Sequence, residues 1–263
     1  MREEGGGAAR LILNLYLSLF ILWLLLPVVA LVAPLLLPST GISADATRGF
    51  APQGFSALIA DPDLLGGLLA SLGLGAAVVA LSLPLGLAGA LTIHRLGTRA
   101  SRGLFAVLVL PILLPGLVLG LSTSLLWREV GVDDGIHLAV LARGGQTAAF
   151  AMLLFLARLD RLDPRFEEAA VDLGASPGLV LRRIVWPHLA PAAPIAALVA
   201  FVHAFGDHDT VALAAGSAPT LIATLLPRLT IGVDPAAAVA AAIPAVLALA
   251  AAGTWLLVGR DRA

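Results

Sequence analysis

The chain has 263 residues, of which 59% are hydrophobic and 13% charged, with a mean hydropathy of +0.99 and a formal net charge of −1. Soluble domains carry roughly 25% charged residues, so this composition excludes an ordinary soluble enzyme and specifies a membrane protein. Cysteine is absent, which excludes disulfides and thiolate metal sites, and every one of the 16 basic residues is arginine, so no phosphate loop ending in Gly-Lys-Ser/Thr exists and any ATP is bound by another polypeptide.

A hydrocarbon core about 30 Å thick takes about 20 apolar residues of helix at ~1.5 Å each. Residues 11–37, 64–93 and 104–127 reach that length without a charge and are expected to be three spanning helices. The first is far longer than the roughly 7–15 apolar residues of a signal peptide, so it is read as a retained span. The fourth run, 144–157, is too short by itself and has to extend back through Arg143 toward Leu138. Residues 189–206 and 236–258 complete the set, with a Gly/Pro/Thr-broken segment, 207–235, between them. The expected fold class is all-α: a polytopic membrane helix bundle of about six transmembrane helices, forming a single domain over residues 1–263.

Sidedness follows from arginine, because cytoplasmic loops hold the excess of positive charge. With the N-terminus inside, all arginines fall in the cytoplasm except Arg48, Arg128, Arg143 and Arg228. The outer loops then collect acids: Asp45, Asp61, Asp63, Glu129, Asp133, Asp134, Asp207, Asp209 and Asp234. Both termini and the loop 158–188 are therefore expected on the cytoplasmic face.

That loop contains DPRFEEAAVDLGASPGLVLRRIVWP, residues 163–187. Asp163 is suited to cap a helix start and Pro164 to occupy its first position. Phe166, Ala170 and Leu173 then share one face, while Glu167, Glu168 and Asp172 point elsewhere. Gly174 is placed to end the helix in the left-handed conformation. Ser176-Pro177 repeats the start, and a second short helix is expected to run to Trp186, where Pro187 breaks it. Two readings of this helix-turn-helix stay open on physics alone: a knob for a partner's cleft, or an amphipathic loop at the membrane surface.

Glu168-Ala169-Ala170, Gly174, Ile184 and Pro187 stand at the spacing of the EAA loop, E-A-A-x-x-x-G followed by I-x-L-P, with Trp186 in place of the leucine. The chain thus resembles the permease subunits of binding-protein-dependent ABC importers. The similarity runs from about Leu64 to the C-terminus and includes LPILLPGLVLG and LARLDRLDPRFEEAA; Ala149 departs from the proline that many relatives carry in the fourth span. Within the family, GDHDTVALAAG and LTIGVDPAAAVAA look most like the polyamine (spermidine/putrescine) permeases, with thiamine and ferric-iron types next. The resemblance implies a non-catalytic subunit of a bacterial inner membrane, partnered by two ATP-binding subunits, a second permease and a periplasmic solute-binding protein. It implies that ATP and Mg are bound by the partners and no cofactor by this chain. It also assigns Glu168, Ala169, Ala170, Gly174, Ile184 and Pro187 to ATPase coupling. Lipid surrounds such a protein, and nucleic acid has no part in its function.

Three polar residues are candidates for a solute pathway or gate: Arg143, His203 and Asp207. Arg143 is costly in a bilayer; it is expected to snorkel toward the outer surface, to line a polar path, or to mark a helix end that lies elsewhere than the apolar run suggests. His203 and Asp207 are one helical turn apart, followed by His208 and Asp209, and read as pathway lining, as membrane-edge polarity, or as a metal site. Prolines within and near the spans, among them Pro84, Pro111, Pro115, Pro191 and Pro194, are read as joints or as proline tolerated in membrane helices. The competing functional class is an ion-gradient-driven secondary transporter, which typically needs ionisable or broken-helix sites near the midplane; the first three spans contain no acid. A membrane scaffold that moves nothing is a third class and leaves the EAA loop unexplained.

Overall fold

A computed structural model describes residues 13–23, 25–26, 51–96, 98–216 and 218–231, together with residues 239, 240, 242, 243, 246 and 249. No β-strand occurs among them. The helices are α1 (Leu13–Trp23), α2 (Ala51–Ala60), α3 (Pro62–Arg95), α4 (Thr98–Leu113), α5 (Gly116–Glu129), α6 (Ile136–Leu159), α7 (Pro164–Asp172), α8 (Pro177–Phe205), α9 (Asp209–Ala214) and α10 (Leu221–Ile231). Three of them, α3, α6 and α8, are long and apolar enough to cross a membrane, and a fourth crossing results if the bent pair α4–α5 is one span. Most of the expected first and sixth spans lies outside the described residues.

Two compact units contain the described residues. The smaller comprises those up to Leu65 and from Pro227 onward. In it Asp61 caps α3, accepting the N–H groups of Asp63 at 3.0 Å and Leu64 at 3.1 Å, and is ion-paired with Arg228. The Arg228 guanidinium holds the Asp61 carboxyl below its usual range.

The larger unit, Gly66–Leu226, has two apolar cores. One joins the end of α3 (Ala90), the second half of α6 (Ala151, Met152, Phe155, Leu159) and the start of α8 (Val180, Val185, Leu189, Ala192, Ala196). The other joins Leu74 and Val78 of α3, Leu138 and Ala139 of α6, Ala200 and Ala204 of α8, and Val211 and Ala214 of α9. The small side chains let helices approach closely, the usual route to helix association in lipid. At Gly120 the neighbouring backbone is close: a Cβ there would stand 2.7 Å from the Thr210 carbonyl oxygen. Gly120→Ala is therefore expected to destabilise the unit by about 1–3 kcal/mol, read as a lower Tm in detergent, whereas Gly103→Ala, with no atom within 4 Å of the added Cβ and a helical backbone that alanine favours, should not lower the Tm.

Two helices differ from the sequence expectation. Residues 104–127 do not form one straight span: α4 and α5 meet at 106°. Pro115 supplies the break, since it has no N–H for the Pro111 carbonyl and adopts φ −58°, ψ 146°. Conversely, Pro187 does not end the helix that begins at Pro177. The chain runs on for 29 residues to Phe205 because the hydrogen bonding shifts around the prolines. Leu181–Val185 forms a π turn in which the Trp186 N–H reaches the Leu181 carbonyl, and Ala190–Ala192 forms a 3₁₀ turn in which Ala193 reaches Ala190. Backbone angles stay helical on both sides, so the missing donors are absorbed without a kink that stops the helix.

Candidate functional site

Two constructions in the larger unit carry chemistry. The first is α7 and its turns. Asp163 accepts the Arg165 N–H at 3.0 Å, and Pro164 opens the helix. At the other end the Ala175 N–H reaches the Ala170 carbonyl at 2.9 Å and the Gly174 N–H reaches Val171 at 2.8 Å, with Gly174 at φ +82°. This pair of bonds is the Schellman end of a helix. Both caps arise locally, which is why they were legible in the sequence.

No residue of α7 is buried. Phe166 is 63% exposed and Leu173 89% exposed, two large apolar side chains of the face that the spacing brings together. Glu168, Ala169 and Gly174 are likewise exposed, whereas Ala170 and Ile184 are half-buried and pack on the first core. Pro187 is exposed near the base of the loop, where the His188 ring is 2.8 Å from the Arg158 carbonyl. A rigidly capped helix thus projects apolar and acidic side chains from a base held by buried residues of α6 and α8.

The second construction is a buried polar junction at the α4–α5 break. Arg143 is 7% exposed and Asp207 5% exposed. The Arg143 Nε donates to Asp207 Oδ2 at 2.7 Å, its other nitrogens bond the second carboxylate oxygen and Gln146 Oε1, and one donates to Thr210 Oγ1 at 2.8 Å. Gln146 Nε2 in turn donates to the carbonyls of Pro111 at 3.1 Å and Leu114 at 3.0 Å. One of these is the acceptor that Pro115 leaves without its helical partner. The Thr210 hydroxyl also reaches the Gly116 carbonyl at 3.2 Å, and its N–H reaches Asp207 Oδ1 at 3.1 Å. One network therefore ties α6, both sides of the break and the corner between α8 and α9.

This geometry corrects the reading of Arg143 as a snorkelling residue: its charge is met inside the protein and does not extend to the surface. It also separates His203 from Asp207. Facing different partners, Asp207 turns to Arg143 while His203 is exposed and stacks on Phe150 with ring centroids 5.6 Å apart. Gln146 and Thr210 were missed from the sequence, because neither carries a charge that marks it in an apolar run. No group of three or more His, Cys, Asp or Glu suited to a metal occurs among the described residues.

No family model matches the chain. Over 235 residues it is 30% identical to the molybdenum transport system permease protein ModB of Mycobacterium tuberculosis (strain ATCC 25618 / H37Rv), covering 83% of this chain and 86% of that protein. The chain belongs to the permease subunits of binding-protein-dependent ABC importers. This permease is also 29% identical over 195 residues to the putrescine transport system permease protein PotI of Escherichia coli (strain K12), covering 71% of one and 69% of the other. Its fold is that of a bacterial ABC transporter involved in import of the acidic polysaccharide alginate, with a TM-score of 0.70 at 16% identity over 99% of both chains. It is similar too to the MetNI methionine ABC transporter in inward-facing conformations, with a TM-score of 0.61 at 17% identity over 75% of this chain and 95% of that one. The permease is thus a multi-pass membrane protein with the expected all-α polytopic bundle.

Proposed function

We propose that this permease moves a small charged solute across a bacterial inner membrane, receiving it from a periplasmic binding protein and drawing on ATP hydrolysed by two partner subunits. A second permease, identical or homologous, completes the pathway, and residues 1–263 act as one permease domain. The reading is carried by α7, capped at both ends yet unburied along its length, with Phe166 and Leu173 free to enter a partner's cleft. Glu168, Ala169, Ala170, Gly174, Ile184 and Pro187 form the coupling element: the exposed residues meet the ATPase, and the half-buried Ala170 and Ile184 pass its motion into the first core. ATP and Mg belong to the partners, since this chain has no phosphate loop, and the permease performs no bond chemistry. Related proteins support the partner set: in one solved complex the alginate transporter is bound to an alginate-loaded periplasmic protein.

Of the three pathway candidates, His203 is the exposed one and lines the route; Arg143 and Asp207 act as a lock that holds the break in shape. Polyamines, thiamine and ferric iron are the solutes that the family resemblance suggests; the relatives include a putrescine permease and add molybdenum.

In the test, a tagged permease co-purifies with an ATP-binding subunit from solubilised membranes, and uptake fails when ATP is depleted. Uptake that survives ATP depletion and stops with an uncoupler would return the protein to the ion-gradient-driven class. The orientation has its own expected result: reporter fusions at Ala175 and at both termini give cytoplasmic signals. A periplasmic signal at Ala175 would remove α7 from the reach of any ATPase.

A further inference from the structure

α7 sits on a loop whose two ends, at Arg158 and His188, meet. The His188 Nε2 is 2.8 Å from the Arg158 carbonyl oxygen, across 30 residues of chain; a carbonyl can only accept, so Nε2 carries the proton and donates. Arg158 lies in the last turn of α6, where carbonyls run out of helical donors and a histidine is well suited to supply one. Beside this bond Leu159 and Leu189 are both fully buried in the first core. The neck of the loop is therefore closed twice, by apolar packing and by one directional bond.

The π turn just ahead of His188 is what aims it. In α8 the buried residues of the first core are Val180, Val185, Leu189, Ala192 and Ala196. Their steps are the three or four residues of an α-helical stripe except for the first, which is five and falls on the π turn Leu181–Val185. Without that extra residue, everything beyond it would be rotated by about 100° about the helix axis, taking Leu189 out of the core and His188 away from Arg158. α7, by contrast, is held lightly: Ala170 is its residue packed against the first core, and none of its residues is buried. Its angle to α6 is set at the ends of the loop, not along its length.

We propose that His188 is a positioning residue for coupling: by closing the neck between α6 and α8 it makes α7 one rigid body with them, so that a push on α7 moves the spans instead of rocking α7 on its turns. The proposal rests on the coupling role read for α7 and adds the residue that transmits it. Packing alone serves this less well. Leu159 and Leu189 resist separation, but apolar contact is non-directional and tolerates sliding, whereas a hydrogen bond weakens steeply as its angle closes. His188 is half-buried and lies outside α7, so it acts through Arg158 and not on the ATPase itself.

The experiment uses the full-length permease assembled with its ATP-binding subunits in lipid nanodiscs. The chain has no cysteine of its own, so spin labels are placed at Asp172→Cys, exposed at the end of α7, and at Leu141→Cys, exposed on α6, and pulsed dipolar spectroscopy reads their separation. The wild type is expected to give one narrow distribution that ATP does not change. His188→Phe, which keeps a ring and loses the donor, should lose that narrow distribution, and His188→Gln, whose amide nitrogen stands about as far from Cβ as Nε2, should keep it. His188→Asn, polar but one carbon short, should behave as His188→Phe does and takes its place if that variant does not fold. Pull-down of the ATP-binding subunit should be unchanged throughout. A histidine that merely supports the fold would lower the Tm and leave the separation narrow; that result, a broad distribution in His188→Gln, or a wild-type separation that shifts with ATP overturns the proposal. A wild-type permease that retains no ATP-binding subunit sinks the coupling reading instead, whereas a narrow separation in His188→Asn with the subunit retained sinks the clamp alone.

Discussion

Asp207→Asn is expected to destabilise the permease by about 3 kcal/mol, at the lower end of the cost of breaking a buried ion pair. The substitution keeps the shape and removes the charge, leaving the buried Arg143 guanidinium with neutral partners alone: Gln146, Thr210 and the new amide oxygen at 207. Arg143→Met should cost as much or more, because it strands the Asp207 carboxylate and also releases Gln146, which holds the Pro111 and Leu114 carbonyls at the break. The double variant Arg143→Met/Asp207→Leu should recover much of the loss, since apolar replacement of a whole buried pair is often neutral or stabilising. Thermal unfolding in detergent reads all three. A charge that served a passing cation would behave differently: Asp207→Asn would slow uptake at unchanged Tm, and that result would put Asp207 back in the pathway.

Glu168→Ala and Gly174→Val should abolish coupling while leaving membrane insertion and Tm near wild type. Glu168 is exposed on a helix without a buried residue, so its removal leaves no hole in either core. A charge-assisted hydrogen bond to an arginine of the ATPase is worth about 1.5–3 kcal/mol, which corresponds to roughly a 10- to 100-fold loss of affinity between the subunits. At Gly174 space is not the constraint, because nothing lies within 4 Å of an added Cβ. The cost comes from φ +82°, where a β-branched residue is a true outlier. Valine there should unwind the Schellman end and misdirect α7. Pull-down of the ATP-binding subunit and ATP-driven uptake measure both effects, and wild-type values for either variant would refute the coupling role.

Much of α7 was legible in the sequence because caps are short-range: Asp163, Pro164 and Gly174 each act on backbone groups within a few residues. The spans were legible as hydrophobic runs, but their breaks were not. Pro115 and Pro187 look alike in a string, yet one turns the chain by 106° and the other sits inside a continuous helix. The difference lies in what receives the freed carbonyls. Gln146, on another helix, binds those at the first break, whereas a π turn within the same helix takes up the second. Likewise, Arg143 was recognisable as a charge in an apolar run, while its partner was not, because Asp207 lies 64 residues away.

The sequence by itself determined the all-α membrane class, from apolar run length and scarcity of charge, and the helix α7, from local capping chemistry. Tertiary structure decided which charges are neutralised, where the third span breaks and which side chain closes the neck of the loop 158–188. The physical reason is range. Hydrophobic transfer and helix capping are properties of a residue and its near neighbours, whereas a buried ion pair or the bond from His188 to the Arg158 carbonyl depends on which distant atoms packing brings within about 3 Å.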